Sequence, residues 1–159
     1  MCIRDRSWLI IALATWIIIW SGSLPFPPHE PTGSGAQDLV GYKIDLSNPE
    51  GGAVVRLTVQ AKHLNRNGTL QGGIHAMLLD AAAGFAASRH LAGQEPEVVP
   101  VVTLSLTTHF LAPANLGDVI ATGRVTGGGR KVVYAEADMR DAEGTLLSQG
   151  TGIFKRTIL

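Results

Sequence analysis

The chain has little cysteine, few aromatic residues and no surplus of either charge. Its one thiol, Cys2, has no second cysteine to pair with, and neither CxxC nor Cys/His metal spacing occurs. Thirteen Lys and Arg are matched by thirteen Asp and Glu, for a formal net charge of zero. Without a basic excess, nucleic acid is not an expected partner, and no acidic block marks a solvated tail. Weak self-repulsion suits a chain that associates with copies of itself. There is no HExxH pair for zinc and no GxSxG elbow for a serine nucleophile; Ser88 and Ser105 have no evident partners. "GGGR", Gly127 to Arg130, lacks Walker spacing and leads into a strand, so it reads as a hairpin turn. No metal site and no bound cofactor are expected.

At 159 residues the chain fits one domain with a tail. The apolar run Trp8 to Trp20 follows Arg4 and Arg6. It is shorter than the ~20 residues that span a bilayer but matches the ~7–15 of a signal-peptide core. Ser21-Gly22-Ser23 is only a passable cleavage site behind bulky Trp20. "MCIRDRS" is similar to translated adapter sequence found in some assembled genomes, and the leader is read as non-native or irrelevant to function, in preference to a working signal or anchor. A cytoplasmic location is then expected, with a signal or membrane anchor as the alternative if the run is genuine. Prolines and glycines from Ser21 to Gln37 read as a linker or extended arm, neither helix nor sheet. Residues 1–37 are thus leader and linker, and residues 38–159 the domain.

Inside the domain, "AVVRLTVQA" (Ala53 to Ala61) alternates Val55, Leu57 and Val59 with polar residues, the period of a half-buried strand. From Gly73 to about His90 the chain is dense in Ala, Leu and Met on nearly all sides, which predicts a buried helix. Four strand patterns follow, "VVPVVTLSLTTHFLAP", "DVIATGRVT", "RKVVYAEADMR" and "TLLSQGTGIFKR". Glycine-rich turns between the later ones predict an antiparallel meander. One helix covered by one antiparallel sheet is α+β. The far side of the helix needs a cover, and a second copy of the chain is the economical one.

Asp80 stands alone in that apolar helix, where an unpaired carboxylate costs several kcal/mol. It either bonds to a nearby backbone group or faces solvent through a gap, or it is a base or nucleophile in a cleft. Gly72 and Gly73 open the helix, where free N–H groups and the positive dipole end suit a carbonyl oxygen; the plain alternative is a tight turn. Gly72 and Asp80 lie ~12 Å apart along one helix, too far to act on one carbonyl. Two antiparallel copies about a two-fold axis would bring Gly72 of one chain to Asp80 of the other. Asn65 could hold a water or carboxylate, or simply make a turn. Thr103 could orient a water near Asp80, or simply fill a strand position. His75 and Asp80 are ~140° apart around the helix and share no face. His63, His75, His90 and His109 are therefore read as structural or exposed.

"HLNRNGTLQGGIHAMLLDAAAG", "VVTLSLTTHFLAPANLGD" and "GGGRKVVYAEADMRDAEGTLLSQGTGIF" together resemble the hotdog-fold acyl-CoA thioesterases of the phenylacetate-degradation (PaaI-like) group. The likeness runs from about Asp38 to Arg156. It implies an antiparallel sheet wrapped around one long central helix, and hydrolysis of aryl- or fatty-acyl-CoA by a homodimer or dimer of dimers. By position, it implies Asp80 as catalytic carboxylate, activating water or attacking directly. It also implies the Gly72 N–H as carbonyl polariser, Asn65 as positioning residue and Thr103 as holder of the attacking water. Gln71 and Gly73 would contact substrate, although Gln71 stands where the group usually has His and cannot carry a proton at neutral pH. The alternative is a hotdog domain that binds acyl-CoA or acyl-carrier thioesters without hydrolysis. A dehydratase would want the missing His.

Overall fold

The computed structural model describes residues 33–47, 52–93 and 99–157. The apolar run Trp8 to Trp20 lies outside them. Among the described residues, no helix is long and apolar enough to cross a membrane.

The strands are β1 (Lys43–Asp45), β2 (Ala53–Val59), β3 (Val101–Phe110), β4 (Gly117–Gly128), β5 (Val132–Asp141) and β6 (Leu146–Arg156). The central helix spans Gly72–Ala92. All pairings are antiparallel, in the order β1-β2-β4-β5-β6-β3. The α+β arrangement expected from the sequence is therefore present, with one long helix packed on one sheet.

Two expectations about the elements and their order are corrected. The four strands after the helix are not a simple meander. β4, β5 and β6 follow one another, but β3 pairs with β6 at the sheet edge and not with β4. Leu111 and Ala112 both donate to the Leu147 carbonyl, and Leu70 donates to the Ala114 carbonyl. These bonds pin the β3–β4 connection to β6 and to the approach to the helix, so a crossover past β6 and β5 replaces a hairpin. The second correction is local: Gly35–Gln37, assigned above to an extended arm, open a short helix over Gly35–Val40. The last proline of the arm is Pro31, so nothing in "AQDLV" prevents helical hydrogen bonding.

The helix begins cleanly at Gly72. Gln71 is extended (φ −60°, ψ 130°) and its side chain makes no capping bond. The Gln71 carbonyl accepts from Ile74 and His75, while the Gln71 N–H donates to His63. At the other end Gly93 takes φ 65°, and its N–H closes onto the Arg89 and His90 carbonyls, which stops the helix.

Leu78, Leu79, Ala82, Ala83, Ala86 and Ala87 are buried, spaced at three and four residues along one face. Each fully buried leucine contributes about 2 kcal/mol. The opposite flank, with Met77, Ala81 and Phe85, is only half-buried, so a helix expected to be buried all round keeps one apolar side open. Beneath the buried face the sheet presents a transverse row of small residues: Gly123 pairs with Ala137, and Ala137 with Gly150. A Cβ on Gly123 would run into the Ala82 carbonyl and sit 2.8 Å from the Ala83 nitrogen. Because both obstacles are backbone, Gly123→Ala must push helix and sheet apart. Chemical denaturation should show about 3 kcal/mol of lost stability.

Candidate active site

Asp80 and Thr103 come together although they lie on different elements. Thr103 Oγ1 donates to Asp80 Oδ1 at 2.8 Å, joining the middle of the helix to β3. Beside Thr103 the β3–β6 register shifts, between Thr103 and Ser105, the irregularity of a bulge. The pair faces a cavity of about 530 Å³ whose walls are mostly apolar, among them Met77, Ala81, Phe85, Val101 and Phe154. The hydroxyl proton of Thr103 is directed at the carboxylate itself. This fixes one carboxylate oxygen and leaves the other for chemistry, and the hydroxyl lone pairs can still accept from a water.

Asn65, Gly72 and His75 line a different cavity, of about 360 Å³, with Phe110, Leu111 and Pro113. Asn65 Oδ1 accepts from the N–H of Asn67 (2.8 Å) and of Thr69 (3.3 Å), and its Nδ2 donates to Thr69 Oγ1 (3.0 Å). The side chain thus builds the turn into the helix while bordering the cavity, which gives it the turn role as well as the placement. Gly72 is the first helical residue, so its N–H has no acceptor within the helix. A Cβ there would meet the Phe110 ring at 3.6 Å, an ordinary contact. Gln71 and Gly73 are both exposed, and neither borders either cavity.

Within one chain, then, the carboxylate and the helix start occupy separate cavities, two helical turns apart, at ~12 Å. Neither cavity holds both the carboxylate and the free N–H of the helix start.

The sequence reads His75 as structural or exposed because it shares no face with Asp80. That remains true, but it borders the Gly72 cavity instead. It is buried, its Nδ1 lies 3.1 Å from Ser148 Oγ, and its ring meets Phe110 edge-on at 5.7 Å and 77°. Burial pushes the imidazole below the usual histidine range. The only sequence signal was its position three residues after Gly72, a spacing that puts both on the same flank of the helix. His63 is also buried but structural. Its Nδ1 accepts from the Gln60 N–H (3.0 Å), so Nε2 carries the proton and donates to the Val40 carbonyl (2.9 Å). His90 and His109 are exposed. Among the described residues no three His, Cys, Asp or Glu side chains converge as metal ligands.

Beyond the end of the helix, Arg130 and Arg156 border a further cavity with His90, Leu91 and Gly129. Arg156 pairs with Val101, a wall residue of the Asp80 cavity. The hairpin turn at Gly127–Arg130 therefore also carries a cation to one end of the helix.

Residues 67–148 match the family model described as Thioesterase superfamily. The chain is 31% identical over 111 residues to acyl-coenzyme A thioesterase 13 of Homo sapiens, covering 68% of this chain and 76% of that protein. A variant of the phenylacetic acid degradation protein PaaI from Thermus thermophilus superposes with a TM-score of 0.66 at 28% identity, over 78% of this chain and 100% of the other. The E. coli PaaI protein from the phenylacetic acid degradation operon matches in fold, with a TM-score of 0.69 at 24% identity over 79% and 86% of the two chains.

Proposed function

Given that this chain belongs to the thioesterase superfamily and is a thioester hydrolase, we propose that it cleaves acyl-CoA thioesters at a site completed by a second copy of itself. The observation that carries this reading is the division of the site: Asp80 with Thr103 in one cavity, Gly72 with Asn65 in another. An antiparallel pairing of two central helices would bring one half from each chain together.

The surface supports such a pairing. β3 is an edge strand, bonded on one side only, and Val102, Leu104 and Phe110 on it are about half exposed or more. An apolar edge beside the open flank of the helix is a liability in a lone chain and an interface in a pair. Homodimer or dimer of dimers both satisfy it.

In this reading the Asp80 carboxylate takes a proton from a water, whose oxygen attacks the thioester carbonyl carbon. Negative charge collects on the carbonyl oxygen, which accepts from the partner's Gly72 N–H at the positive end of its helix. The C–S bond then breaks, the thiolate leaves, and the proton that Asp80 took from the water passes to sulfur. The acyl group lies along the apolar walls beside Met77 and Phe85, and the CoA phosphates lie against Arg130 and Arg156. Such a scheme draws on the chain's own residues and asks for no cofactor.

A panel of aryl- and fatty-acyl-CoA substrates, followed with a thiol reagent, tests the substrate class. Steady release of CoA from apolar acyl thioesters is expected, and no release from any CoA thioester would exclude them as substrates. Replacing both Arg130 and Arg156 with Glu should raise KM for the best CoA substrate about tenfold or more, with kcat little changed, since charge-assisted phosphate bonds contribute about 1.5–3 kcal/mol each. Unchanged KM would move the phosphates elsewhere.

A further inference from the structure

His75 is a polar group of the Gly72 cavity that the mechanism above leaves unused. It follows Gly72 by three residues, and helical side chains lean toward the N-terminus of their helix. The imidazole is therefore carried back over the first turn, where the carbonyl oxygen of a substrate would sit. Its ring closes one side of that cavity with Phe110, edge to face.

The two ring nitrogens have different surroundings. Nδ1 is engaged with Ser148 Oγ, whose residue is fully buried on β6. Nε2 has no hydrogen-bond partner among the described residues, yet no buried side-chain nitrogen or oxygen there lacks one. Nε2 is thus the part of this otherwise buried ring that still reaches the cavity. Because burial keeps the ring neutral at neutral pH, one nitrogen carries a proton and the other a lone pair. A serine hydroxyl can serve either, and by donating to Nδ1 it places the ring proton on Nε2.

We propose that His75 is a second catalytic hydrogen-bond donor, with Nδ1 accepting from the Ser148 hydroxyl and Nε2–H joining the Gly72 N–H on the thioester carbonyl oxygen. The inference rests on the hydrolytic reading given above. It assigns Ser148 as the positioning residue that selects the tautomer. It also places the imidazole of this helix start on the cavity side, while Gln71, exposed and without a capping bond, stays outside it. As the attacking oxygen approaches, charge grows on the carbonyl oxygen and both donors strengthen together, so the effect falls on kcat more than on KM.

The test combines kinetics with a spectrum. His75→Gln keeps an N–H donor at about the reach of Nε2, whereas His75→Leu removes it. His75→Leu also strands the Ser148 hydroxyl in the core, so it is paired with Ser148→Ala to remove that orphan. With the best acyl-CoA substrate, the Leu/Ala double variant should lose about 10²-fold in kcat at nearly constant KM, and His75→Gln should stay within about tenfold of wild type. Wild-type kcat in the double variant overturns the proposal. So does an equal loss in His75→Gln that tracks a fall in Tm, the signature of a packing role alone. Imidazole ¹⁵N NMR of the full chain, with His75 assigned by its loss in His75→Gln, should show the Nε2–H tautomer at neutral pH. The Nδ1–H tautomer overturns the proposal whatever the kinetics. Absence of thioesterase activity in wild type would instead remove the hydrolytic reading, and this role with it.

Discussion

Asp80→Asn is expected to lower kcat by about 10³-fold, within the range of a lost general base, with little change in KM or Tm. The amide keeps an oxygen to accept the Thr103 hydroxyl, so the link between helix and β3 survives while the proton acceptor is lost. Thiol release under saturating substrate measures it. Turnover equal to wild type would end the role proposed for Asp80. The same variant reports on assembly. If each site takes its carboxylate from one chain and its helix start from the other, two inactive variants can complement. Asp80→Asn mixed in equal amounts with a variant disabled at Gly72, then unfolded and refolded together, forms heterodimers with one intact site and one doubly damaged site. Random pairing returns about a quarter of wild-type activity. A mixture no more active than its components would place both residues of a working site on one chain, against the ~12 Å that separates them along the helix.

Gly72→Pro should be nearly as damaging, by about 10²–10³-fold in kcat, and for a different reason. Gly72 is the first helical residue, the position at which proline is best tolerated, since its N–H has no helical acceptor and its φ suits the helix. Gln71 before it is extended (φ −60°, ψ 130°), as a residue preceding proline should be. A Cβ at Gly72 makes only ordinary contact with Phe110. The substitution therefore deletes one N–H and leaves the helix in place, so Tm should hold while kcat falls. Gly72→Ala, which keeps the N–H, is the control and should retain most activity. Equal activity in the proline and alanine variants would show that the N–H does no chemistry.

Much of this was legible beforehand because it is local. The central helix was expected from Gly73 to about His90 and runs from Gly72 to Ala92, since an unbroken Ala- and Leu-rich stretch has few other options. β2, β4, β5 and β6 follow alternating patterns closed by turn residues, and such patterns fix which side chains share a face whatever the partner. β1 was missed because "KID" is too short to show any period. The helix at Gly35–Val40 was missed because the prolines before it set the reading of the whole stretch.

What the sequence determined by itself, then, was the set of long elements, the helix start at the double glycine, and the presence of one carboxylate where a helix should have none. Each follows from neighbours a few residues apart. The tertiary structure decided what long-range pairing decides. It put β3 beside β6, chose which side of the helix to bury, and seated that side on Gly123, Ala137 and Gly150. It joined Thr103 to Asp80 across 23 residues, and His75 to Ser148 across 73. No periodicity encodes those meetings. They arise only when the sheet closes over the helix and brings side chains from distant parts of the chain within hydrogen-bond reach.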